Sequence, residues 1–201
     1  VYRVTASTVY TAAGSGYLPW RAFDSPLLAG GSTWHSNGSD GSTPYGAISF
    51  ENAQSVSVIG FIDLALPYMV NVSKIAHNPR NTEPTSGVKR GILAGSNDNV
   101  HWYLLHQWET ASSAANVMHN EYVRHDGYYK ILRYAVVSNF AGSNGIREQY
   151  IRYFGTPQMN VDDGRQLNVG QVMTSSVGIG TSAPHFPLTV SGSTDLTGTT
   201  A

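Results

Sequence analysis

Val88-Lys89-Arg90-Gly91-Ile92-Leu93-Ala94 runs into Gly95-Ser96-Asn97-Asp98-Asn99, and a second stretch, Trp102-Tyr103-Leu104-Leu105-His106, follows closely. Both flanks are rich in Val, Ile, Leu and Tyr, which suit a pleated, half-buried surface. The segment between them holds only Gly, Ser, Asn and Asp, the residues that close tight turns. Two strands joined by a hairpin-like turn are predicted. Trp102 stands as a large aromatic beside polar turn residues, so it is expected to plug a core.

The same texture extends on both sides. Tyr45–Phe50, Val56–Leu64, Asn71–His77, Lys130–Ser138 and Gln149–Phe154 read as further short strands. Gly, Pro, Ser and Asn clusters separate them, at 14–16, 30–31, 36–44, 78–87 and 142–145. Many short strands with regular turn signals predict an all-β chain, a β-sandwich or jelly roll. Helical turns are expected only around Pro19–Phe23 and Ser112–Met118.

Composition narrows the class. The chain has 201 residues and a formal net charge of −1, from 12 basic and 13 acidic side chains. No basic stripe exists, so nucleic acid is not an expected partner. Charged residues make up 12%, against roughly 25% in an average soluble domain. Gly, Tyr, Ser and Thr take their place, a polar-aromatic mix that suits sugars. With no cysteine, disulfides and thiolate metal sites are excluded. No apolar run approaches the ~20 residues that span a bilayer, so membrane insertion is not expected.

Beyond Thr156 the aromatics almost vanish, and the head is expected to span 1–156, with 157–201 as an appendage. Within it, Val177-Gly178-Ile179-Gly180 and Leu188-Thr189-Val190 alternate with period two, broken by Pro184 and Pro187. Such pieces are too thin to fold alone. They are either a flexible linker or strands that cover one another between chains. The stretch resembles the collar repeat of viral and phage tail-fibre proteins. That resemblance implies a homotrimer in which Val177, Ile179, Leu188 and Val190 form the contacts. The Ser191–Ala201 end reads as a tail.

A second resemblance covers most of the head. Ala22-Phe23-Asp24 precedes Ser32-Thr33-Trp34-His35-Ser36. Ile62-Asp63-Leu64 with Pro67 and then Asn78-Pro79-Arg80 follow. Gly95-Ser96-Asn97-Asp98 before His101-Trp102, and finally Ile151-Arg152-Tyr153-Phe154-Gly155, complete the series. In this order the landmarks resemble the discoidin superfamily, the coagulation-factor C-type domains. The fold implied is a galactose-binding-like jelly roll. Asn99 stands where that family often has Gly, and Asn tolerates the left-handed conformation. Trp34, like Trp102, is expected in the core.

The resemblance also implies a site. Sugar-binding members carry Trp-His-Ser, matched by Trp34-His35-Ser36, and a Pro-Arg pair, matched by Pro79-Arg80. His35 and Arg80 are then expected to contact a galactose-type sugar. The chemistry fits, because a guanidinium fork can engage vicinal hydroxyls and a neutral imidazole adds one hydrogen bond. The aromatic platform that usually follows the His is missing, since 37–40 is Asn-Gly-Ser-Asp. Tyr17, Trp20 or Tyr45 could replace it. Some relatives hold a structural calcium ion. Asp24 and Thr33 match two of its ligands, while Tyr150 or Arg152 occupies the place of the third. Glu148 is the nearest substitute. No other cofactor is implied.

His77, His101, His106, His119 and His125 lack metal-ligand spacing. The thirteen acids are scattered singly through turns, apart from Asp162-Asp163 in the appendage, so no glycosidase pair stands out. No nucleophile elbow, zincin helix or phosphate loop is present. The sequence therefore reads as a non-catalytic, receptor-binding segment of a fibre on a virion surface. Its expected partners are a host cell-surface glycan, its own copies and other virion proteins. The alternatives are a structural connector and a carbohydrate-binding module of a secreted glycosidase.

Overall fold

The computed structural model describes residues 2–7, 9, 18–24, 34–36, 45–80, 82, 84–114, 117–142 and 145–158, without the side chain of Asp24. The chain divides into two units, Val1–Met159 and Asn160–Ala201. The collar residues Val177, Ile179, Leu188 and Val190 lie outside the described residues.

The described strands are β1 (Arg3–Ala6), β2 (Trp34–His35), β3 (Gly46–Ile48), β4 (Val56–Val58), β5 (Gly60–Pro79), β6 (Val88–Ser96), β7 (Tyr103–Glu109), β8 (His119–Tyr122), β9 (Tyr129–Asn139) and β10 (Arg147–Pro157). A single-turn helix, α1 (Arg21–Asp24), falls where the helical turn near Pro19 was expected. One sheet runs β2-β10-β5-β9-β6-β7, with β1 and β8 also paired to β5, and β3 pairs with β4 separately. All the pairings are antiparallel.

The opening hairpin forms as its residues dictate. Ser96 Oγ accepts from the N–H of Asn99, and Asp98 Oδ1 accepts from those of Val100 and His101, which ties the turn from within. Asn99 adopts a left-handed φ of 65°. The chain then enters β7 with Trp102 buried behind it.

Three expectations are corrected. Val56–Leu64 is not one strand, since Val56–Val58 forms β4 and β5 begins at Gly60, and Asn71–His77 is not a separate strand, because β5 continues unbroken for 20 residues. Pro67 removes a donor from the ladder. It sits in the gap between Ala65 and Val70, where the pairing to β9 shifts register. The backbone stays extended while its neighbours change from β1 to β10 and β8. Within Ser112–Met118 no described residue is helical. The segment leads into β8, whose His-Asn-Glu-Tyr sequence has no strand pattern of its own. Pairing with β5 at Lys74–His77 supplies its structure.

Alternation along the sheet sends its apolar side chains to two cores. Trp34, Ile62, Ile75, Leu93, Leu132, Tyr134, Ile146 and Ile151 fill the larger one. Phe61, Ile92, Ala94, Trp102 and Ala135, with Ile48 and Val58 of the β3–β4 pair, fill the other. Trp34 and Trp102 are both core residues, in different cores. In the second core Arg133 lies between the rings of Phe61 and Trp102, at 3.7 and 3.8 Å. Its Nε and Nη2 donate to the two carboxylate oxygens of Asp63, both at 2.8 Å. A planar guanidinium can stack and fork at once, which a lysine could not do there.

Candidate functional site

β2 is only two residues long, yet it is held firmly. Arg147 and Glu148 of β10 pair with His35 and Trp34 in register. Beyond the strand, the Ser36 N–H donates to Ile146 O, and the Ile146 N–H donates back to Ser36 Oγ. Trp34 is fully buried and anchors the strand to the larger core. The end of β5 meets the same place, where the Arg80 N–H donates to Arg147 O at 3.0 Å. Three segments far apart in sequence thus bring His35, Arg80 and Arg147 together.

His35 is almost completely enclosed, at 4% exposed. Arg147 Nε donates to its Nε2 at 2.6 Å. That acceptor role requires a neutral ring with the proton on Nδ1. Burial, followed by the positive charges of Arg147 and Arg80, lowers the imidazole to about 4. His35 is therefore neutral at pH 7 and positions Arg147. Arg80 and Arg147 are half-buried, and the charges of both act on the imidazole. Such an arrangement can hold several hydroxyls of one ring in fixed directions.

The proposed platforms lie elsewhere or outside the described residues. Tyr17 is outside them. Tyr45 is half exposed and packs edge-on against Phe61 at 4.6 Å, over the second core. Trp20 lines a cleft with Phe23, Tyr68 and Tyr153, to which His35, Arg80 and Arg147 contribute nothing. That cleft is at the far end of β10, about 20 Å along the strand from Arg147.

Of the calcium set, Thr33 and the side chain of Asp24 lie outside the described residues. Glu148 does not fit such a site. It is fully buried, Oε1 accepts from the Val88 N–H at 3.1 Å, and Oε2 faces His77 Nδ1 at 3.6 Å. Calcium takes six to eight oxygen ligands, whereas the groups against this carboxylate are the Val88 N–H and the His77 ring, both nitrogen. Tyr150 and Arg152 stack on each other, with the guanidinium 5.0 Å from the ring. Among the described residues no group of three His, Asp or Glu side chains has metal-binding geometry.

Two features escaped the sequence. Arg147 joins His35 from 112 residues away, and only the β2–β10 register reveals it. His77 and His119, read as unrelated, occupy opposing positions of β5 and β8, with rings 5.3 Å apart.

No protein-family model and no curated protein matches the chain. Solved structures do match it. A CBM32 module of Clostridium perfringens in complex with GalNAc-beta-1,3-galactose is 12% identical, with a TM-score of 0.59 over 76% of this chain and 94% of that one. The C-terminal domain of a chitobiase from Bacteroides fragilis is 15% identical, with a TM-score of 0.60 over 79% and 95%. The family 32 module of Clostridium perfringens NanJ in complex with galactose is 13% identical, with a TM-score of 0.55 over 76% and 92%. The described unit has the antiparallel β-sandwich fold of CBM32 and discoidin-like galactose-binding domains.

Proposed function

We propose that the Val1–Met159 unit binds a galactose-type saccharide, without catalysing its cleavage, at the cluster of His35, Arg80 and Arg147. The observation that carries this reading is the Arg147–His35 hydrogen bond beside Arg80. It fixes the Arg147 guanidinium on a neutral ring at the end of the sheet, close enough to Arg80 for that charge also to act on the ring. Neighbours of the same fold are described in complex with galactose and GalNAc-beta-1,3-galactose, which supports the choice of sugar. The sugar's hydroxyls would accept from the guanidiniums, with His35 as the positioning residue. A glycan array on the intact protein, followed by calorimetry with the strongest hit, tests the reading. Binding that survives unchanged in both Arg80→Ala and Arg147→Ala rejects it.

At a finer level, this unit acts as the host-attachment head of a fibre on a virion surface, with 157–201 joining three copies. The resemblance of 177–192 to fibre collars supports this. Three weak sites on one trimer would gain avidity on a repeated host glycan. The competing reading is a module of a glycosidase. It is favoured by structural likeness to part of a family 89 glycoside hydrolase of Clostridium perfringens, at 18% identity, a TM-score of 0.52 and 14% of that chain. Light scattering separates the two: a trimer mass supports the fibre head, and a monomer mass supports the glycosidase module.

A further inference from the structure

We propose that the cleft between the middle of β5 and the far end of β10 is a second saccharide site, one that takes a single sugar ring. The cleft encloses about 860 Å³, within the range of small-molecule sites. Register defines which side chains face it. Val4 pairs with Leu64, and Leu64 with Leu132, so Tyr2, Val4, Leu64, Leu66 and Tyr68 share one face of the sheet.

The most exposed apolar side chains of the cleft are aromatic, with half-buried Val4, Leu64 and Leu66 between them, while Leu132 and Ile151 are 0% and 1% exposed. Tyr2, Trp20 and Tyr68 are 60%, 44% and 43% exposed. Flat aromatic faces of this kind match the C–H face of a pyranose. Polar groups stand beside them. The hydroxyls of Tyr2 and Tyr68 lie 3.3 Å apart at the rim, in a shared hydrogen bond. Tyr153 lines the cleft, and its buried hydroxyl has no hydrogen-bond partner.

Among the described residues no Asp or Glu lines the cleft. Its two basic residues are out of phase with the aromatic face. Arg3 pairs with Ala65, and the Arg152 guanidinium lies 5.0 Å over Tyr150. Arg3 and Arg152 among the lining, with the Arg21 guanidinium 5.0 Å from the Trp20 ring, add donors for sugar hydroxyls beside the aromatic wall. This site is independent of the His35 cluster and shares with that reading only the class of ligand.

Trp20 reports on its own site. The chain has four tryptophans, and the other three are 0%, 6% and 7% exposed. Acrylamide quenching of tryptophan fluorescence thus reads mainly Trp20. Galactose, N-acetylglucosamine and lactose are the probes. At least one of them should protect Trp20 from acrylamide, equally well in the wild type and in the Arg80→Ala/Arg147→Ala double variant. Protection should be lost in Tyr68→Ala, with near-ultraviolet circular dichroism confirming the fold. Should Tyr68→Ala fail to fold, Tyr2→Ala must give the same loss. Quenching unaffected by all three sugars overturns the proposal. So does protection that disappears in the double arginine variant, or that persists in the folded aromatic variant.

Discussion

Arg147 Nε donates to His35 Nε2 at 2.6 Å, across the register pair that joins β10 to β2. The bond orients a half-buried guanidinium with an enclosed imidazole. It turns a short edge strand into a support for the candidate site.

Removing Arg147 should therefore weaken saccharide binding more than it weakens the fold. A hydrogen bond to a charged group contributes about 1.5–3 kcal/mol, so Arg147→Ala should lower affinity by about tenfold or more. Arg147→Lys should restore little, because a point charge does not reproduce the planar fork. Calorimetry with galactose measures both variants.

His35 makes the acid behaviour of this region specific. Its folded value of about 4 lies below the ordinary 6.5. Between those values the unfolded chain binds a proton that the folded chain does not, so stability falls as pH drops from 6.5 towards 4. Above 6.5 the contribution is constant. Imidazole resonances of His35 should titrate near pH 4. Those of His101, raised by its hydrogen bond to Asp98, should titrate above 6.5. The fall in urea midpoint across this window should be smaller in His35→Gln.

Asp63→Ala leaves Arg133 buried between Phe61 and Trp102 with its fork unpaired. Breaking one partner of a buried pair costs about 3–5 kcal/mol. Replacing both, as Asp63→Ala with Arg133→Leu, should recover part of that loss. Urea denaturation of the two variants gives the comparison.

Gly91 faces Trp108 across the β6–β7 ladder, where a Cβ would collide with the indole. Gly91→Ala should destabilise by about 1–3 kcal/mol, the usual cost of overpacking. A rise in Trp108 exposure, read by its emission maximum, should accompany the loss.

Local patterning made much of the fold legible. The turn at 95–99, the apolar flanks 88–94 and 102–106, and the core tryptophans 34 and 102 are settled by neighbours in sequence. The continuity of β5 was not legible, because its ladder to β9 shifts around Pro67 while the strand itself continues. β8 left no trace, since its polar residues owe their conformation to β5. The site was half legible. His35 and Arg80 carry family landmarks, but Arg147 has none, and its role depends on a register between strands more than a hundred residues apart.

The sequence by itself determined an all-β chain, the hairpin at 88–106 and two core anchors, Trp34 and Trp102, because turn chemistry and period-two patterning are local. Only the tertiary structure decided how the site is built. It placed Arg147 on His35, turned Glu148 inward to His77, and moved Trp20 to the far end of β10. Those outcomes depend on strand register and on which face each side chain occupies. Pairing between distant segments sets both.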